Sequence, residues 1–267
     1  MPSIVSLNFL ERFVYIMGNQ GETIESIAAK QGGAPMYTKP FIIPAGQEAV
    51  KITLTNEYGD TIVPVLENNG GLNPCTIGGV TGNISVDEVG NTYFTRAESG
   101  TLTTVNTDEM VITRAMANRR EDIMVVFLQE LPENYSASKF VEILEKMRDY
   151  QNLPTGGKSF YVISPVLNTD SSRAAELDSL LEEHFGEYYI NAREYLCGEA
   201  IEKYNIKVKD EEDIAAVERG QVCSQYLTKK GTLNIYGMYI ISDLFTERIK
   251  ENDAELLELR FEYTEEQ

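Results

Sequence analysis

The sequence predicts an α/β protein: a three-layer domain with a parallel sheet that carries an inserted, small antiparallel β domain. Two observations lead to this prediction. After about residue 121, continuous apolar runs alternate with amphipathic helices, a pattern typical of a parallel sheet covered on both faces. Between residues 34 and 118, short alternating runs are separated by turn residues, which is typical of antiparallel strands. We therefore predict a discontinuous α/β domain at 1–33 and 119–267, with a β domain inserted at 34–118.

The first 33 residues are predicted to contain two helices around a short strand. The run at 13–16 is apolar and partly β-branched, which favours a buried strand. Residues 22–30 are predicted to be helical, because Ile24, Ile27 and Ala28 recur at helical spacing.

The remaining elements follow from the same two periodicities. Strands of the β domain are predicted at 41–43, 50–54, 61–65, 82–86, 92–95 and 110–113. Strands of the parallel sheet are predicted at 123–128, 160–166 and 188–191, and helices at 138–150, 171–185 and 235–250. Apolar and charged residues alternate over 255–267, so this segment is either an edge strand, a strand that pairs with a neighbouring chain, or a solvated acidic tail.

Charge and composition exclude several classes of protein. The 23 basic and 42 acidic side chains give a net charge of −19. This charge repels phosphate backbones and anionic lipid, so neither nucleic acid nor a membrane is a predicted partner. Apolar runs fall short of the roughly 18 residues that a membrane span needs. The N-terminus also lacks a secretory signal pattern, so a cytoplasmic location is expected outside any larger particle.

Histidine and cysteine restrict the chemistry further. His184 is the single histidine, so multi-histidine metal sites are excluded and a histidine-dependent hydrolase would have to use this residue. We predict a structural role for it, in the last turn of a helix that a glycine terminates. Cys75, Cys197 and Cys223 are widely spaced and predict no metal site and no disulfide, only small buried side chains. No cofactor is predicted.

Other polar and aromatic groups are given structural interpretations. A glycosidase would need a pair of carboxylates, and the candidates are Glu182 with Glu183 and the acidic run at 211–213. With 42 acidic residues in the chain such pairs arise by chance, so these side chains are predicted to lie on the surface. The run at 209–217 is predicted to be a capped surface helix. The scattered tyrosines, which include Tyr236 and Tyr239, are predicted to be mostly half-buried packing residues.

Short segments distributed along the chain form a recognisable combination. They are Gly21-Glu22-Thr23, Ile27 to Gly33, Leu72 to Gly82, Tyr93-Phe94-Thr95-Arg96, Asp122 to Val125, Tyr189-Ile190-Asn191, Arg193 to Leu196, and Leu233-Asn234 with Gly237. Together they resemble the SGNH (GDSL-type) hydrolase superfamily, and more narrowly a branch from gut Firmicutes and their phages that carries a β insertion. The resemblance implies a flavodoxin-like fold and spans nearly the whole chain.

The resemblance also implies a catalytic machinery, most of which is missing here. The family uses a serine at the end of the first strand, a glycine N–H and an asparagine as oxyanion donors, and a histidine oriented by an aspartate three residues earlier. Residues 2–5 already match the helix after that first strand, so the strand and its serine are absent. Gly21 matches the oxyanion glycine, but the asparagine position is Leu131, the histidine position is Thr232 and the aspartate position is Lys229.

The expected function is therefore non-catalytic. A pseudoenzyme of this branch would serve as a structural or binding protein, and the phage connection implies a virion component such as a capsid decoration, tail or baseplate part. Its expected partners are other proteins, further copies of itself, or a glycan. The alternative is a carbohydrate esterase with rebuilt catalytic residues, which would have to use His184; Asn134 could replace the missing asparagine only through a shifted loop.

Overall fold

The computed structural model describes residues 14–18, 22–66, 71–131, 135–152, 160–167, 171–208 and 210–253. It is a mixed α/β protein, which confirms the predicted class. The chain divides into two compact units. The α/β unit comprises Met1–Tyr15, Ile123–Val141 and Ser159–Gln267, and the β unit comprises Ile16–Asp122 and Glu142–Lys158. The domain boundaries predicted from the sequence stay a prediction.

The described residues of the β unit contain ten short strands, two complete helices and the second part of a third. The strands are β1 (Tyr37–Thr38), β2 (Phe41–Ile43), β3 (Val50–Ile52), β4 (Leu54–Thr55), β5 (Thr61–Ile62), β6 (Cys75–Ile77), β7 (Val80–Val86), β8 (Thr92–Arg96), β9 (Thr103–Val105) and β10 (Glu109–Met110). The helices are α1 (Ile24–Gln31) and α2 (Arg114–Asn118).

All ladders of the β unit are antiparallel, as the alternating sequence pattern predicts. The strand orders are β10-β1-β4-β5, β2-β9 and β3-β8-β7-β6. Because successive residues of a strand point to opposite faces, β7 buries Ile84 while Asn83 and Ser85 stay exposed. The inward residues, among them Ile52 and Phe94, form one apolar core.

Helix α1 carries a buried ion pair. The Lys30 ammonium, whose side chain is 2% exposed, lies 2.7 Å from the Glu22 carboxylate and donates to the Met17 carbonyl at 2.7 Å. Glu22 also accepts a hydrogen bond from the Ser26 hydroxyl at 2.6 Å. Burial lowers the pKa of Lys30, while the hydrogen bond and the charge of Glu22 oppose that shift. Each buried charge therefore has a partner, and the pair attaches the segment before α1 to the helix.

The α/β unit alternates strands and helices. Its strands are β11 (Met124–Phe127), β12 (Phe160–Ile163) and β13 (Tyr189–Ile190). Helix α3 (Ala137–Asn152) begins in this unit and ends in the β unit. The other helices are α4 (Ser171–Phe185), α5 (Ala192–Cys197), α6 (Glu199–Lys203), α7 (Glu211–Glu218) and α8 (Ile235–Asn252), with 3-10 turns at Gly186–Tyr188 and Ser224–Tyr226.

The three strands form a parallel sheet in the order β11-β12-β13, and helices cover both of its faces. All four residues of the middle strand β12 are buried. Phe160 stacks on Phe185 of α4 with ring centroids 6.1 Å apart. Its neighbour Tyr161 points to the opposite face and meets Phe245 of α8 edge-on at 5.6 Å. The middle strand of this parallel sheet therefore packs against one helix on each side.

One predicted strand is wrong. Of the predicted strand at 13–16, the described residues 14–16 are not in a strand, and Tyr15 and Ile16 are 50% and 59% exposed. An apolar run of four residues does not by itself distinguish a buried strand from an irregular connection. The predicted first helix and the alternating segment at 255–267 lie outside the described residues. In the described part of the chain, no helix is long and apolar enough to cross a membrane.

Replacing Lys30 with methionine tests the buried ion pair. The change leaves the Glu22 carboxylate buried without its cation, so we expect the free energy of unfolding to fall by about 3–5 kcal/mol. Urea denaturation measures this loss. The matched control is Lys146→Met, because the Lys146 ammonium lies 2.8 Å from Glu57 at the surface, where both side chains are at least 35% exposed. We expect the control to cost about 1 kcal/mol or less; equal losses would contradict a special role for the buried pair.

Candidate functional site

The carboxyl edge of the parallel sheet is the candidate site, because ligands of open α/β sheets bind at this edge. Three polar residues follow the ends of the strands: Gln129 after β11, Ser164 after β12 and Asn191 after β13. Each of them takes part in hydrogen bonds that hold neighbouring segments in place.

Gln129 connects the ends of two strands and the start of the last helix. Its carbonyl accepts from the amides of Val166 and Leu167 at 3.0 and 2.8 Å. Its side-chain oxygen accepts from the amide of Leu233 at 3.4 Å. The segment just before helix α8 is thereby held at this edge of the sheet.

Ser164 and Asn191 position helix α5. Ser164 is fully buried, its amide donates to the Ile190 carbonyl at 3.0 Å, and its hydroxyl accepts from the Arg193 amide at 3.2 Å. Asn191 is the N-cap of α5, and its side chain accepts from the Glu194 amide at 3.1 Å. The Ser164 hydroxyl is therefore part of the packing and lies beneath the surface.

An ion pair lies beside this edge. The Arg193 guanidinium contacts the Asp178 carboxylate of α4 and donates to the Gly220 carbonyl at 3.0 Å. Asp178 also accepts from the Tyr189 hydroxyl at 2.7 Å. Burial and the nearby Asp178 carboxylate raise the pKa of Tyr189, so this phenol stays protonated and remains a donor.

A shallow cleft of about 330 Å³ surrounds this pair. Its lining residues are Asp178, Asn191, Arg193, Glu194, Cys197, Gly198 and Gly220. This cleft was not predicted from the sequence. The Asn191-x-x-Glu194 spacing of a helix start was a usable signal for part of it, but the pairing of Arg193 with Asp178 joins residues from different helices and needed the fold.

The family resemblance assigns catalytic roles to four positions of this chain. The residues described at these positions either pack in the core or lack the acid–base chemistry that the role requires. Leu131 is 1% exposed and belongs to the core. Lys229 and Thr232 lie in an exposed turn, where the Thr232 hydroxyl is 2.8 Å from that of Thr228. Gly21 and Asn134 lie outside the described residues.

The turn that contains Lys229 and Thr232 is closed by its own backbone. The Thr228 amide donates to the Thr232 carbonyl at 2.7 Å, and the Gly231 amide donates to the Thr228 carbonyl at 3.0 Å. Gly231 has a φ of +76°, a conformation that glycine adopts without strain. The side chains at these two positions supply neither a base nor a carboxylate that could orient one.

His184 and the acidic candidates occupy the elements that the sequence predicts. His184 lies in the last turn of α4, and Gly186 follows with a φ of +50°. Glu182 and Glu183 are exposed on the same helix. In α7, Asp213 is buried rather than on the surface, because it accepts from the amide and hydroxyl of Ser224 at 2.6 and 2.8 Å. Within the described residues, no group of three or more histidine, cysteine or acidic side chains could hold a metal ion.

The cysteines match their predicted character in part. Cys75 and Cys223 are buried, whereas Cys197 is half-buried in the wall of the cleft. Burial raises the pKa of Cys75 to about 12 and that of Cys197 to about 11, and it also raises the pKa of Cys223. Because the thiolate is the reactive form, these thiols are poor nucleophiles at neutral pH.

The chain is thus a mixed α/β protein in which Gln129, Ser164 and Asn191, at the carboxyl edge of the sheet, form hydrogen bonds within the fold. Comparison with family models, with curated proteins and with solved structures found no match to the chain. The chemistry of this edge therefore has to be inferred from its own residues.

Thiol labelling tests the state of the cysteines. With a disulfide reagent such as DTNB at pH 8, we expect slow labelling of the native protein, because raised pKa values keep the thiols protonated and burial restricts access. In denaturing urea all three cysteines should react quickly. Cys197 is the most accessible, so it should give the fastest native phase.

The Cys197→Ala variant should lose that fastest phase and keep the two slow ones. If a fast phase persists in this variant, the burial of Cys75 or Cys223 is wrong.

Proposed function

We propose that the chain is a non-catalytic SGNH-like protein that acts by binding. Its fold would be the flavodoxin-like three-layer arrangement of that superfamily. The parallel order β11-β12-β13 supports this proposal, since each strand adds beside the one before it in the chain. The contact between Gln129 and Leu233 supports it as well, because it brings the segments that resemble the third and last family blocks to one edge of the sheet.

The observation that carries the proposal is the chemistry at that edge. A general base must keep a lone pair free for a proton, and a nucleophile must be exposed to the substrate. Here a threonine occupies the base position, a lysine the orienting position and a buried leucine the oxyanion position. The one serine at the strand ends, Ser164, is fully buried and hydrogen-bonded to the start of α5. None of these groups is suited to acyl transfer.

The biological role follows from the resemblance. A phage-associated branch supports a structural role in a virion, such as capsid decoration or a part of the tail or baseplate. Its partners would be other virion proteins or further copies of the chain, and the inserted β domain could present a glycan-binding surface. The net charge of −19 fits this role, because it favours solubility at the high local concentrations of an assembly.

An ester-hydrolysis assay tests the loss of catalysis. We expect purified protein to hydrolyse para-nitrophenyl acetate no faster than buffer with an equal amount of an inert protein, because Ser164 is buried and bonded to the backbone and the described residues at the sheet edge pair no nucleophile with a base. The His184→Ala variant is assayed alongside.

Turnover in the parent protein that disappears in His184→Ala would overturn the proposal. It would favour the alternative of a carbohydrate esterase with rebuilt catalytic residues, and acetylated polysaccharide would be the next substrate to assay.

A further inference from the structure

Helix α8 exposes an apolar surface at its start. Ile235, Tyr236 and Tyr239 are 76%, 61% and 48% exposed, although the sequence analysis predicted half-buried tyrosines. The core-facing side of the helix is formed by other residues, among them Ile240 and Phe245. Ile235 and Tyr236 thus lie outside the core, while the Tyr239 ring meets that of Tyr204 edge-on with centroids 6.5 Å apart and stays about half exposed. Together they leave an apolar surface in contact with water.

A cationic turn precedes this surface. Lys229 and Lys230 are consecutive and exposed, in a chain that carries 42 acidic and 23 basic side chains. Neither lysine lies within ion-pair distance of a carboxylate in the described part of the chain. Several other described cations, such as Arg193 and Lys203, do have such a partner. The turn is thus a place where positive charge remains available to another molecule.

An acidic and partly apolar helix start lies next to the same elements. Glu211 and Glu212 of α7 are exposed, and Ile214 is 44% exposed. Asp213 ties this helix to Ser224 of the 3-10 turn, and Asn234 at the start of α8 donates to the carbonyl of Gln225 at 2.8 Å. The starts of α7 and α8 are therefore held by one short turn.

We propose that this surface, formed by the 229–230 turn and the starts of α7 and α8, binds a second copy of the chain around a two-fold axis. A two-fold contact requires a self-complementary surface, and this one combines a cationic turn, an acidic helix start and exposed apolar side chains. In the dimer, Lys229 and Lys230 of each copy face Glu211 and Glu212 of the other. The apolar residues then pack at the centre.

Charge complementarity favours a second copy of the chain as the partner of this surface. Two chains that each carry −19 repel one another unless cations lie at the contact. The lysine turn supplies those cations, and the acidic helix supplies their counterparts on the same surface. The inference rests on the proposed function, because it names the surface through which a binding protein would assemble.

The first test is the mass in solution. We expect sedimentation equilibrium at about 0.15 M salt, which screens the repulsion between two chains of −19, to give twice the chain mass of 30.0 kDa. Tyr236→Ser should raise the dissociation constant at least about tenfold, as expected for a central aromatic residue of an interface. The matched control is Tyr58→Ser in the β unit, where Tyr58 is 75% exposed, and it should leave the dissociation constant unchanged.

Charge reversal gives a test that does not depend on one variant. Lys229→Glu with Lys230→Glu should be monomeric, and so should Glu211→Lys with Glu212→Lys, because each places like charges face to face. An equimolar mixture of the two variants should recover a dimer containing one chain of each kind. Circular dichroism of each variant confirms that it is folded.

A parent chain that stays monomeric throughout overturns the inference, and so does a dimer that the Tyr236 and charge variants leave intact. A mixture of reversed variants that fails to pair while the parent is a dimer overturns the two-fold arrangement. Loss of this inference leaves the proposed function standing, because the absence of ester hydrolysis is measured separately. Conversely, His184-dependent hydrolysis by a dimer would overturn the proposed function alone.

Discussion

The α/β unit depends on satisfying the polar groups at the carboxyl edge of a buried parallel sheet. Strand β12 is buried along its whole length, so the polar groups that follow it have little water to bind. Ser164 therefore pairs with the backbone on both sides, and Gln129 bonds three amides from two other segments. These bonds join the ends of the strands to one another and to the starts of later helices. The hydrogen-bonding capacity of Ser164 and Gln129 is thus used within the fold.

In the β unit, the buried polar groups that need a partner are charged. Its buried Lys30 and Glu22 need each other, because an isolated charge in an apolar environment costs several kcal/mol. The remaining hydrogen bonds of the pair go to the Met17 carbonyl and the Ser26 hydroxyl. Such a pair adds little net stability compared with well-packed apolar residues, but it specifies which side chains can meet at the start of α1. The two units thus use different chemistry for the same requirement.

Much of the fold follows from periodicity, and the departures have physical reasons. The predicted helix at 171–185 coincides with α4, and the predicted strand at 41–43 coincides with β2, because their apolar spacing and flanking residues agree. The predicted strand at 13–16 is wrong because a short apolar run carries no information about a partner strand. The site was harder to predict, since Arg193 and Asp178 meet only after α4 and α5 are placed. Asp213 was predicted to lie on the surface because acidic residues are abundant in this chain. Its burial depends on a hydrogen bond to Ser224, eleven residues further along the chain, which the sequence pattern does not reveal.

A sheet edge whose strand-end residues bond to neighbouring backbone groups is suited to presenting surfaces. Catalysis needs groups that are held in place yet left chemically unsatisfied, and such groups cost stability. At the edge described here, the turn around Lys229 and Thr232 is closed by its own hydrogen bonds, which restrict its conformation. Rigid elements with exposed side chains lose little entropy when a partner binds. The start of α8 is such an element: its cap is fixed by Asn234, while Ile235 and Tyr236 remain in contact with water. Under the proposed binding function, the hydrogen bonds that hold these segments in place keep this surface ready for a partner.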